Sequence, residues 1–156
     1  MNQTIGVISD THGLLRPEAI SALQGSDLII HAGDIGRVEV IEQLAKIAPV
    51  TAVRGNIDKA AWANEFPETA VVQASDMFIY VLHDLKELDL NPQAAGFRVV
   101  VSGHSHQPKI ADKNGTLYLN PGSAGPKRFK LPIAVGRLTI SGDRIHSEIL
   151  PLDVPC

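Results

Sequence analysis

Short apolar segments that stop abruptly at Asp, His or Asn beside glycine constrain the fold of this chain more than any other feature. Thr4–Ser9 runs into Asp10-Thr11-His12-Gly13, Leu28–His31 into Ala32-Gly33-Asp34, and Val50–Val53 into Arg54-Gly55-Asn56-Ile57-Asp58. Apolar runs of this length read as strands buried on both faces. Between them, Pro17 suits the first turn of a helix through Gln24, with Gly25 as its stop. Val38, Ile41, Leu44, Ala45 and Ala48 recur at helical spacing before Pro49 closes that segment. The opening third is thus β-α-β-α-β, which predicts right-handed crossovers on a parallel sheet.

The remainder changes character. Ala70–Gln73 and Met77–His83 read as strands, and Asp84 and Glu87 have capping-box spacing for a short helix. Arg98–Ser102 is a further strand, ending in Gly103-His104-Ser105-His106. Asn114-Gly115 signals a hairpin leading into Leu117–Asn120, and Ser141-Gly142-Asp143 signals another between Ile133–Ile140 and Arg144–Leu150. A parallel half followed by an antiparallel half predicts two packed sheets with helices outside. With 156 residues, 44% of them hydrophobic, and neither repeat nor low-complexity tract, one compact unit is expected.

The polar strand ends carry the chemistry. In such sheets ligands bind beyond the carboxyl ends of the strands, so Asp10, His12, Asp34, Asn56, His83, His104 and His106 should converge on one rim. Four of the six histidines sit in these turns, and turn chemistry alone does not call for histidine. Imidazole and carboxylate together suit Mn, Fe, Zn or Ni better than Mg or Ca, which prefer oxygen shells. Seven ligands are too many for one ion. They suit two ions about 3.5–4 Å apart that share a carboxylate.

The ordered set D-x-H, G-D, G-N-x-D, His, G-H-x-H and Asn120-Pro121-Gly122-Ser123 resembles that of the calcineurin-like metallophosphoesterases. Within that family it resembles in particular the small single-domain YfcE-like phosphodiesterases, along nearly the whole chain. The resemblance implies a mixed α/β fold, a two-layer β-sandwich flanked by helices, with residues 1–156 as one such domain. It also implies two divalent metal ions, Mn first and Fe, Zn or Ni as alternatives. One would take Asp10, His12, Asp34 and His106; the other would take Asp34, Asn56, His83 and His104, with Asp34 bridging. Asp34, Asn56 and His104 are the expected catalytic residues, and the implied reaction is in-line attack by hydroxide on a small phosphoester, most readily a diester. A branch of the superfamily, the retromer subunit, uses the same fold as a protein-interaction scaffold. No member of the ligand set is missing here, so hydrolysis is the expected function.

Two positions depart from the family pattern. Ile57 stands where many relatives have a histidine able to protonate the leaving oxygen, and Asp84 stands where glycine commonly follows the strand-end histidine. Asp58 is expected to N-cap a short helix through Lys59–Trp62, and Asp84 to cap the helix after it. His31 should be a hydrogen-bonded interior histidine and His146 a solvent-facing one. Trp62 and Phe66 should pack, and Lys127-Arg128-Lys130 reads as a solvated loop near the rim. The formal charge of −3 argues against nucleic acid as a general partner. No apolar run nears the roughly 20 residues of a membrane span, and Met1–Gly6 lacks a signal-peptide pattern, so a cytoplasmic location is expected. Cys156, the single cysteine, permits no internal disulfide and should be a terminal residue without a role. A homo-oligomer stays open.

Overall fold

The computed structural model describes residues 2–128 and 130–154; Cys156 lies outside them. Among the described residues, ten strands form two five-stranded sheets. The first contains β1 (Asn2–Ile8), β2 (Leu28–His31), β3 (Val50–Ala52), β9 (Ala134–Ser141) and β10 (Arg144–Pro151), in the order β10-β9-β1-β2-β3. The second contains β4 (Thr69–Ala74), β5 (Met77–Leu82), β6 (Phe97–Val101), β7 (Lys109–Lys113) and β8 (Thr116–Asn120), in the order β4-β5-β6-β8-β7. Helices α1 (Pro17–Leu23) and α2 (Val38–Leu44) cross over between β1, β2 and β3, as the sequence pattern predicts. A short α3 (Pro92–Ala95) precedes β6.

Strand alternation builds the layers. Ile5 and Val7 point between the sheets with Ile30, Val72, Ile79, Val81, Val99, Val101 and Leu119, all buried. Ile8 and Ile29 point the other way, onto Ala19 and Leu23 of α1 and Val40 and Leu44 of α2. Strands this apolar therefore satisfy two cores at once. Truncating a fully buried Ile such as Ile30 to Ala would cost about 2–5 kcal/mol. Trp62 and Phe66 pack edge-on, with ring centroids 6.1 Å apart, against the helix-side core.

The sheets do not divide the chain into a parallel and an antiparallel half. Both are mixed: β9 pairs antiparallel with β1, while β5, β6 and β8 run parallel in the second sheet. Periodicity identifies strands but not their partners. The closing hairpin joins the first sheet because Leu138 and Ile140 complete the inter-sheet core while Val135 faces the helices. The consequence for the rim is direct. The carboxyl ends of parallel β1, β2 and β3 and those of parallel β5, β6 and β8 deliver their loops to one edge of the sandwich.

Asp58 braces that edge and does not cap a helix. A 3₁₀ turn follows at Ala61–Glu65 with no side-chain cap. The buried Asp58 carboxylate instead accepts the N–H groups of Ile35 (3.0 Å), Gly36 (2.9 Å) and Gly55 (2.8 Å). It thereby ties the loop after β2 to the loop after β3. Replacing Asp58 with Ala should lower the unfolding free energy by about 3 kcal/mol, since several buried donors lose a charged acceptor. Urea denaturation measures this, with Asp58→Asn falling between Ala and wild type.

Candidate metal centre

Each candidate side chain sits one to five residues past the end of a strand, in the loop that leaves the sheet. Asp10, His12, Asp34, His104 and His106 all adopt left-handed φ values, between 48° and 72°. Non-glycine residues pay steric energy there, and such strain concentrates at functional sites. Two glycines show how tightly the loops approach. A Cβ on Gly55 would collide with the Asp34 carboxylate, and one on Gly103 with Ser9 Oγ and Asp10.

Asp10 is fully buried, and its two oxygens differ. Oδ2 accepts from Ser9 Oγ (2.8 Å) and from the His104 backbone N–H (3.0 Å), a bond that links the two sheets. Oδ1 is left facing the rim, 3.4 Å from His106 Nε2 and 3.8 Å from His12 Nε2. Burial pushes the Asp10 carboxyl up, but His106, His12, His83 and the Ser9 hydroxyl more than offset this and hold it well below the usual range. Asp34 Oδ1 accepts from the Ile57 N–H (3.2 Å), while Oδ2 lies 3.2 Å from His83 Nε2 and 3.5 Å from His12 Nε2. Asp34 is likewise held below its ordinary value: burial raises it, and His83 with the Ile57 N–H outweighs that.

The ligand-type atoms form two groups, each within 4.8 Å internally: Asp10, His12 and His106, and Asp34, His83 and His104. Each contains a pair of imidazoles, with centroids 5.4 Å apart for His12 and His106 and 5.1 Å for His83 and His104. Asn56 joins the second group, its Oδ1 3.1 Å from His83 Nε2. Asp34 Oδ2 faces both groups. The structure thus brings all seven candidate residues together.

The donor chemistry of the cluster suits a cation. His83 Nδ1 donates to the Ala32 carbonyl (2.8 Å), which fixes its tautomer and turns the Nε2 lone pair toward Asp34, Asn56 and His104 Nδ1 (3.3 Å). In the neutral ring the His83 Nε2 lone pair, the Asp34 oxygen and the Asn56 oxygen that meet there are all acceptors. The alternative is a second proton: burial pushes the His83 imidazole down, but Asp34 and Asp10 outweigh it and leave it above the ordinary value. In the first group, Asp10 Oδ1, His12 Nε2 and His106 Nδ1 are buried and have no hydrogen-bond partner. Each such orphan costs about 1–3 kcal/mol, and more for a charged group. A divalent ion in the first group would satisfy Asp10 Oδ1 and His12 Nε2, so the residues fit the metals that the sequence implies.

Several supporting residues escaped the sequence reading. Ser9 orients Asp10, and Asn120 Nδ2 binds the Gly103 carbonyl (2.9 Å) and Ser105 Oγ (3.1 Å), pinning the loop that carries His104 and His106. The Ser-Asp and Asn-Pro-Gly-Ser strings were the available signals. Asp84 caps the 3₁₀ turn Leu85–Glu87 through the Lys86 N–H (3.1 Å), as expected, and its Oδ2 also lies 3.8 Å from His104 Nε2. The Ile57 side chain is largely exposed and offers no titratable group. His146 is exposed on β10, and Lys127, Arg128 and Lys130 are exposed.

His31 is buried and neutral, outside both groups. Its Nδ1 accepts the Gly33 N–H (3.1 Å), so Nε2–H donates to Thr11 Oγ1 (3.0 Å), which in turn donates to the Ile35 carbonyl (2.9 Å). Burial pushes the imidazole down to about 4, despite the nearby Asp10, Asp58 and Asp34. Between pH 6.5 and about 4 the unfolded chain binds a proton that the folded one refuses, so stability falls on acidification. The expected loss is on the order of 3 kcal/mol at the bottom of that window. Denaturation of chelator-treated protein at pH 7.5 and 4.5 measures it, and His31→Gln should flatten the dependence.

The profile of the calcineurin-like phosphoesterase superfamily domain matches residues 4–143. A probable metallophosphoesterase of Methanothermobacter thermautotrophicus is 34% identical over 163 residues, covering 97% of this chain and 94% of that protein. Among solved structures, vacuolar protein sorting 29 from Cryptosporidium parvum superposes with TM-score 0.83 at 22% identity, covering 97% of this chain and 92% of its own. A novel archaeal phosphodiesterase gives TM-score 0.77 at 23% identity, covering 95% of this chain and 100% of its own. At these identities the two structures establish the shared fold.

Proposed function

The chain belongs to the calcineurin-like phosphoesterase superfamily, and from that premise we propose that it is a dinuclear metal-dependent phosphodiesterase acting on a small phosphoester. The observation that carries this reading is the pair of imidazole-and-carboxylate groups sharing Asp34 Oδ2, with two buried ligand atoms, Asp10 Oδ1 and His12 Nε2, that have no hydrogen-bond partner. Asp10, His12, Asp34 and His106 would hold one ion and Asp34, Asn56, His83 and His104 the other, within one domain. Mn is the first choice, because mixed imidazole and carboxylate donors favour it over Mg or Ca.

Two divalent cations so held supply a water of lowered pKa and neutralise phosphate charge in an in-line displacement. The chain's own residues do the positioning. Ser9 and the His104 N–H fix Asp10 so that Oδ1 faces the rim, and the Ala32 carbonyl fixes the His83 ring. Asn56 contributes a neutral oxygen, which keeps the centre more electrophilic than a third carboxylate would.

The likeness to vacuolar protein sorting 29 raises a scaffold role as the second reading, since the fold serves both. The complete ligand set favours hydrolysis. With added Mn, bis(p-nitrophenyl) phosphate should be hydrolysed, and Asp34→Asn should lower the rate by a factor of about 100 or more, in line with the loss of a ligand shared by both ions. Absence of hydrolysis of this diester and of p-nitrophenyl phosphate would favour the scaffold.

Ile57 offers no proton to the leaving oxygen, so the proposed enzyme favours leaving groups that depart as anions. Ile57→His should accelerate cleavage of alkyl esters by up to about 10²-fold, the lower range of general acid catalysis, and change nitrophenyl esters little. Equal effects on both ester types would contradict that role for position 57.

A further inference from the structure

Two clefts of opposite character meet at His104 and Asp84. The cleft of about 410 Å³ on the Asn56 side is lined by Glu68, Asp84, Glu87 and Asp89. Its one strong cation, Arg54, is already committed to the Phe66 carbonyl (2.6 Å) and Glu68 (3.2 Å). The cleft of about 520 Å³ on the other side is lined by Lys86, Lys109, Lys113 and Arg128, with Asp84 as its only carboxylate.

Three separate segments supply those cations. Lys86 comes from the 3₁₀ turn that Asp84 caps, Lys109 and Lys113 from β7, and Arg128 from the loop after Asn120-Pro121-Gly122-Ser123. Alternation along β7 puts Lys109, Ala111 and Lys113 on one face, and the β7–β8 register places Asn120 and Tyr118 beside Lys109 and Ala111. Lys113 Nζ rests 5.3 Å from the Tyr118 ring centroid. The Lys and Arg ion pairs among the described residues are Arg37–Glu39, Arg54–Glu68 and Arg137–Glu148, so none of the four cleft cations has a carboxylate partner. In a chain of net charge −3, four uncompensated cations around one concave surface beside the metal centre select for anions.

We propose that this cleft binds a second anionic group of the substrate, which is a small nucleotide-like phosphodiester that also carries a terminal phosphate. Its scissile phosphate lies beside His104, and its second phosphate lies among Lys86, Lys109, Lys113 and Arg128. The flat or apolar body between them rests on Leu85, Ala111 and Tyr118. The acidic cleft opposite repels the same group, so the substrate has one orientation. This inference rests on the phosphodiesterase reading above.

Titration calorimetry of the full chain with thymidine 3′,5′-bisphosphate and thymidine 5′-monophosphate separates the two. Wild-type protein should bind the bisphosphate about tenfold more tightly, and the Lys109→Gln/Lys113→Gln double variant should lose that preference. Its far-ultraviolet circular dichroism and thermal unfolding midpoint should match wild type, which separates loss of the preference from loss of the fold. Equal affinity of wild type for both nucleotides, no measurable binding of the bisphosphate, or a preference that survives the double substitution would each overturn the proposal. Far tighter binding of a single-stranded oligothymidylate would also count against it, by reassigning the cleft to polynucleotides. Failure of wild-type protein to hydrolyse bis(p-nitrophenyl) phosphate would instead count against the phosphodiesterase reading, and the binding ratio would still be readable.

Discussion

The hydrogen bond from the His104 backbone N–H to Asp10 Oδ2 is the contact on which the rest of the rim depends. It is where the loop after β6 in one sheet meets the loop after β1 in the other. It uses one carboxylate oxygen and leaves the second aimed at His12, His83 and His106. A neutral residue at position 10 could preserve the packing of the sheets but not this division of labour. The Asp58 carboxylate performs the analogous task between the loops after β2 and β3, and Asn120 between the loop after β6 and the segment after β8. Three polar side chains, two buried and one half-buried, thus hold together loops that contribute little apolar area of their own.

The site is expensive, and the sandwich carries the expense. Five candidate ligands sit at positive φ, at about 1–2 kcal/mol each for non-glycine residues. Orphaned acceptors add to this. Strands buried on both faces give the scaffold enough hydrophobic stabilisation to tolerate the strain, since each fully buried Ile or Leu contributes about 1.5–3 kcal/mol. Gly55 and Gly103 belong to the same design: carboxylates occupy the space that their side chains would need.

What the sequence made legible was local. Strand existence follows from apolar runs, and the ends of β2 match the expected bounds because Gly25 and Gly33 punctuate the flanking loops. The seven candidate ligands were legible because histidine is out of place in ordinary turns. What escaped was set by distance along the chain. Asp58 has the sequence of a helix cap, but its partners Ile35 and Gly36 lie 23 and 22 residues away. The mixed sheets depend on β9 finding β1 across the whole length of the domain. The basic cleft depends on the β7–β8 register, which the Asn114-Gly115 turn fixes but does not announce.

The central claim is that the seven side chains hold two ions through a shared Asp34. Equilibrium dialysis of chelator-stripped protein against Mn tests it most directly. Two ions per chain are expected for wild type, one for His12→Ala, and a marked weakening of both sites for Asp34→Asn. A wild-type protein that saturates at one ion or none, or an Asp34→Asn variant that keeps both at unchanged affinity, would contradict it.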